Sequence, residues 1–331
     1  MHRAMKLLVS LAMLMSLCGC ESEPLPASAT TVRFDFHSSF LINLHHFLYD
    51  AARHPAGMDL THWTAAPTPE ELAVLRDAVA YYAAHYGTHD LLFDDELRDI
   101  KHSLAQADDE RQNTRGLALP PALAEALDRV APVYARCLWQ AQNRLNLDWI
   151  ARVEVLETRY GSDIQPRLER VFGSRFPALI RDDVVVNTGK LQGAYTDAPP
   201  PHTVMPSGRS DYDDLAALEM IWHEAAHTGP SGSLEALIET EARAIHRAIQ
   251  DNLWHAALFY AVGVQVQQVL KLGSGIEYLP YAEKKGLYAR AWPQFIPLLG
   301  TDWLAWNDGQ GTMQAAVKAM VAKLGPESAK P

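Results

Sequence analysis

Residues 223 to 227 read His-Glu-Ala-Ala-His, two imidazoles four residues apart with a carboxylate directly after the first. On an α-helix that spacing stacks His223 and His227 on one face, where both can turn a ring nitrogen towards a single metal ion. Glu224 then sits close enough to such an ion to take a proton from a metal-activated water as the water attacks a carbonyl. The chemistry that these residue types support is metal-assisted hydrolysis.

The surrounding residues predict the helix that this arrangement needs. Ser207-Gly208-Arg209-Ser210 offers a loop and a capping serine, Asp211, Asp213 and Asp214 suit a first turn where the helix dipole favours anions, and Thr228-Gly229-Pro230 ends the helix after His227. The motif would close a helix of about five turns. Ahead of it, Val184-Val185-Val186, Gly193 to Thr196 and His202 to Met205 read as three short strands with turn and proline signals at their ends. The first half is helical by period: Phe40 to Ala52, Pro69 to His85, Pro121 to Tyr160 with a break expected near Asn146, and Ser162 to Phe172. Downstream, the apolar run from Leu253 to Val264, interrupted by His255, is too short to span a bilayer and is expected to be a buried core helix. The fold class expected is α+β, predominantly α-helical, with a small sheet before the motif helix.

His223-Glu224-Ala225-Ala226-His227, followed by a second helix carrying Glu239-Thr240-Glu241-Ala242, resembles the zincin metallopeptidases over about residues 180 to 250, in particular the gluzincin type, whose third zinc ligand is a glutamate on a downstream helix. The metzincin extension is absent, because Pro230 and Ser233 stand where it requires Gly and His. The resemblance implies a zincin-like core whose edge strand holds an extended peptide by backbone pairing, Zn²⁺ as cofactor, His223 and His227 as ligands and Glu224 as general base. For the third ligand, Glu235, Glu239 and Glu241 compete. Leu234, Leu237, Ile238, Ile245, Ala248 and Ile249 cluster on one side of the second helix, and Glu241 falls within that stripe, whereas Glu239 points towards Arg243, His246 and Arg247. A carboxylate on a core-facing stripe needs a partner, and a bound cation would supply it, so Glu241 is the expected ligand with Glu239 as the alternative.

The first twenty residues indicate where the chain works. His2, Arg3 and Lys6 precede an apolar run from Leu7 to Leu17, and Leu17-Cys18-Gly19-Cys20 closes it, the pattern of an export signal. Its ending resembles the lipobox of bacterial lipoproteins, which implies signal cleavage after residue 19 and acyl chains, palmitate among them, on Cys20. Glu21 in place of Asp leans, by resemblance to sorting rules, towards the outer membrane. Glu21 to Thr31 is rich in Pro, Ser and Ala and suits a tether. With Cys20 lipidated, Cys137 stays alone as a buried thiol and no internal disulfide is expected.

The expected organisation is thus a signal peptide over 1–19, a lipidated Cys and tether over 20–31, a helical region over 32–178, and a zincin-like metallopeptidase core with C-terminal helices over 179–331. Removing the signal moves the formal charge from −11 to −13, which gives no electrostatic case for nucleic acid. Elsewhere, His45, His46 and His246 are read as structural or exposed, and Tyr278, Tyr281, Tyr288, Trp292, Trp303 and Trp306 as packing residues, one phenol of which could steady an oxyanion. Two function classes follow. One is an envelope-anchored zinc hydrolase, a peptidase acting on peptide or protein substrates in the periplasm. The other is a non-catalytic binding or assembly lipoprotein with a structural or degenerate metal site.

Overall fold

The computed structural model describes residues 30–54, 63–189, 193–248 and 252–324. The signal peptide, Cys20 and nearly all of the tether lie outside the described residues. Among the described residues no helix is long and apolar enough to cross a membrane.

Among the described residues the chain is mostly helical around one four-stranded sheet, an α+β arrangement. Strand β1 (Arg33–His37) leads into α1 (Phe40–Arg53), α2 (Pro69–His85), α3 (Asp95–Leu104) and α4 (Pro121–Tyr134). A π-helical turn over Ala135–Trp139 joins α4 to the long α5 (Gln140–Phe172), and β2 (Leu179–Val185), β3 (Tyr195–Asp197) and β4 (His202–Pro206) follow. Next come α6 (Asp214–His227), α7 (Pro230–Ala244) and α8 (Leu253–Ser274). The chain finishes with the short α9 (Tyr281–Lys284), α10 (Leu287–Ala291), α11 (Ile296–Leu298) and α12 (Leu304–Asn307), and with α13 (Met313–Lys323).

The three expected strands are present as β2, β3 and β4, within a residue or two for β3 and β4 and starting five residues earlier for β2. A fourth, β1, comes from the region expected to be helical and pairs in parallel with β2, Phe34 opposite Ile180. The order is β1-β2-β4-β3, with β2 and β4 parallel and β3 antiparallel at the edge. Side chains alternate across a strand, so the sheet separates two cores. Phe34, Ile180, Val184 and Met205 face a core shared with α5, α6 and α8, while Val185, Tyr195 and Val204 face one built from α1 to α4. A sheet buried on both faces explains why β2 runs apolar at its end instead of alternating with polar residues.

Two local expectations need correction. The break in the long helical stretch falls at the π-helical turn, just after Pro132, where a missing N–H and a clashing ring disturb the i→i−4 ladder. Asn146 instead lies inside α5, fully buried, donating to Ser38 Oγ and Asn43 Oδ1 at 3.0 Å each and accepting from Ser207 Oγ, so it ties α5 to the ends of β1 and β4. The motif helix has 14 residues, about four turns. It begins only at Asp214, because Ser210–Tyr212 forms a separate 3₁₀ turn.

Candidate metal centre

His223 and His227 occupy the last turn and a half of α6, and their Nε2 atoms lie 3.2 Å apart. The i,i+4 spacing delivers this convergence directly. A third imidazole arrives from the first turn of α8: His255 Nε2 is 3.3 Å from His223 Nε2. One donor atom of each ring lies within 4.8 Å of the others. A tetrahedral metal with metal–nitrogen bonds of about 2.0–2.1 Å has nitrogen–nitrogen edges of about 3.3–3.4 Å, so both spacings have the dimensions of such a site.

The third member of the cluster is therefore a histidine rather than Glu241. Glu241 does face inward beside Leu234 and Ile238 and is 8 % exposed, although α7 ends at Ala244, so that Ile245 and Ala248, expected on the same stripe, lie beyond the helix and Ile245 is exposed. Its Oε1, however, accepts from Gln314 Nε2 of α13 at 3.0 Å, so a side-chain amide satisfies the buried carboxylate that a cation was expected to satisfy. Glu239 pairs with Arg243 at 2.6 Å on the outer face, and Glu235 is exposed. The sign that could have exposed His255 was its place as the one histidine in an apolar run, where an imidazole needs a partner.

Burial and the two neighbouring rings hold His223 well below the ordinary histidine range, burial together with the His255 ring brings His227 to about 3, and burial alone brings His255 to about 4. The three rings are therefore neutral at neutral pH, the form that binds a metal. Aromatic rings wall the cluster. Phe259 lies 3.8 Å from His223 between centroids, Trp254 stacks on His255 at 5.1 Å, and Trp292 meets His255 edge-on at 5.5 Å. His227 and His255 remain partly exposed, which leaves the cluster approachable from one side. His223 Nδ1 is buried without a hydrogen-bond partner.

Glu224, next to the first imidazole, turns towards β3. The Thr196 hydroxyl lies 2.8 Å from both Glu224 Oε2 and Glu224 O. Burial pushes the Glu224 carboxyl up to about 7, opposed by the Thr196 hydrogen bond. Asp182, on the same face of the sheet, is raised to about 8, chiefly by burial.

The aromatic residues of the C-terminal third mostly pack, as expected. Tyr278 donates to Glu219 Oε2 at 2.7 Å, Tyr281 to Asp211 Oδ2 at 3.2 Å, Trp303 to Ala257 O and Trp306 to Val171 O. Tyr288 borders Trp292, with 6.2 Å between their ring centroids. His45 bonds Tyr82, His46 bonds Ile42 O and Tyr195, and Cys137 is buried, all as structural residues. No protein-family model, curated protein or solved structure matches the chain significantly.

Proposed function

We propose that the protein is a zinc-dependent hydrolase of the cell envelope, acting on peptide bonds, with His223, His227 and His255 as metal ligands and Glu224 as general base. The observation that carries this reading is the pair of nitrogen–nitrogen spacings, 3.2 and 3.3 Å, centred on an imidazole whose next residue is a carboxylate. The donor set suits zinc: three neutral imidazoles form a cluster that borderline-soft divalent ions favour and that leaves a coordination position open. The H-E-x-x-H helix beside a sheet with an antiparallel edge strand supports a zincin-like core, although a third histidine departs from the gluzincin pattern.

Bound there, a zinc ion would act as a Lewis acid and make water a stronger acid. Glu224 accepts the proton that the attacking water loses and delivers it to the leaving amine; a carboxyl that titrates near neutral pH is suited to both transfers. Thr196 fixes the rotamer of that carboxylate through Oε2. Phe259, Trp254 and Trp292 limit the access of water to the ligand side. In this reading acyl chains on Cys20 hold the protein at the membrane facing the periplasm, and Cys20→Ser would abolish its partitioning into detergent.

A non-catalytic metal lipoprotein is the second reading, favoured by one observation: Glu224 is only 4 % exposed. The experiment that separates the two is cleavage of a peptide library by the purified protein, with and without chelator, beside Glu224→Gln. The substitution keeps all three imidazoles, so metal content should hold while cleavage falls by about 10² to 10⁴. Undiminished cleavage by Glu224→Gln removes the hydrolase reading.

A further inference from the structure

On the other face of the sheet a second group of donors converges. Asp197 of β3 and His202 of β4 are direct partners in the antiparallel pair, so their side chains rise from the same face. His102 of α3 meets them there, its ring centroid 5.6 Å from that of His202. One donor atom from each of the three lies within 4.8 Å of the others. Asp197 and His202 are each 2 % exposed.

The hydrogen bonding of this group is incomplete in a particular way. His202 Nε2 bonds Asp183 Oδ2 at 2.7 Å, and Arg181 clamps both oxygens of Asp183 at 2.9 Å. That contact fixes the ring, and in the neutral tautomer that donates Nε2–H to Asp183 the free acceptor nitrogen is Nδ1. His202 Nδ1 and His102 Nε2 are both buried and both without a hydrogen-bond partner. Two orphaned imidazole nitrogens beside a carboxylate are costly in a bare interior. A carboxylate that orients a histidine by its far nitrogen is also the usual outer support of a metal-bound imidazole.

We propose that His102, Asp197 and His202 form a second divalent-cation site, suited to zinc, on the face of the sheet opposite the three-imidazole cluster. The ion satisfies both free nitrogens and ties α3 to the two edge strands. Lys101 opposes it. Its ammonium lies fully buried, 2.7 Å from Asp197 Oδ2 and 4.3 Å above the Tyr195 ring, and it repels a cation sharing the same carboxylate. The second site is therefore expected to hold zinc more weakly than the first, and Lys101→Met to tighten it.

The test is equilibrium dialysis of the full chain, freed of metal and then exposed to zinc alone, with metal counted per protein. The native protein should bind two equivalents, His102→Ala one and the H223A/H227A double variant one, and the triple variant none. In the H223A/H227A protein, zinc should still raise the thermal midpoint and a chelator should reverse the rise, a readout that does not need the His102 variant to fold. The proposal is overturned if His102→Ala binds as much zinc as the native protein, or if zinc leaves the midpoint of H223A/H227A unchanged. A single equivalent that survives H223A/H227A but not His102→Ala supports this site and sinks the other.

Discussion

Replacing His255 with alanine distinguishes the ligand set that the geometry supports from the one that the motif alone suggests. The imidazole nitrogens stand 3.2 and 3.3 Å apart, close to a tetrahedral edge, so little rearrangement should be needed on metal binding and each ring should contribute its full share. Zinc binding in four-ligand sites is worth about 10–16 kcal/mol, or about 3 kcal/mol per ligand, which corresponds to roughly a 10²-fold loss of affinity when one ligand is removed. Glu241→Gln preserves the volume of the side chain that meets Gln314 and should change zinc affinity by no more than about twofold. The assay is competition for zinc against a chromophoric chelator, with far-UV circular dichroism to show that both variants keep their helices. If His255→Ala binds zinc as tightly as the native protein, or if Glu241→Gln loses affinity to the same degree, the three-imidazole assignment is wrong.

Thr196→Val removes the hydroxyl beside Glu224 while keeping a shape suited to a strand; turnover should fall about tenfold with metal content unchanged, and equal turnover would show that Thr196 does not position the base. Burial raises the Glu157 carboxyl to about 7 against the opposing hydrogen bond from Trp222, so between about pH 4.5 and 7 the folded chain keeps a proton that the unfolded chain releases, and stability falls as pH rises through that window. Glu157→Gln should flatten that part of the curve in urea melts at a series of pH values, and an unaltered slope would contradict the assignment. Asn146→Ala strips a buried hub of three side-chain bonds and should cost about 2–4 kcal/mol, which would appear as a lower denaturant midpoint.

The sequence pattern located the elements better than it located their partners. Val184 to Val186 and His202 to Met205 announced strands because β-branched and apolar runs end at turn residues, and Leu253 to Val264 announced a core helix. Strand β1 escaped because Arg33-Phe34-Asp35-Phe36-His37 is a short alternation adjoining a tether-like segment, and its pairing partner lies far away in the chain. The i,i+4 histidines were legible because a helix fixes their relation internally. The third imidazole of the cluster was not. Its place depends on how α8 packs on α6, and inward-facing residues on two helices, Glu241 and His255, met the same one-dimensional criterion. The packing of α13 on α7 separates them, giving Glu241 an amide partner while His255 joins the two imidazoles of α6.

The long-range closure of the sheet bears on when the centre comes into being. Strand β1 must wait for roughly 140 residues before its parallel partner β2 exists, a late and entropically demanding closure. Helix α6 can carry His223 and His227 by itself, but Thr196 comes from a strand that precedes it and His255 from a helix that follows. A chain emerging in order from its N-terminus therefore has no complete centre at any intermediate length up to α8. The three imidazoles and Thr196 thus stay scattered along the chain until α8 has been made, and they meet only when α8 packs on α6.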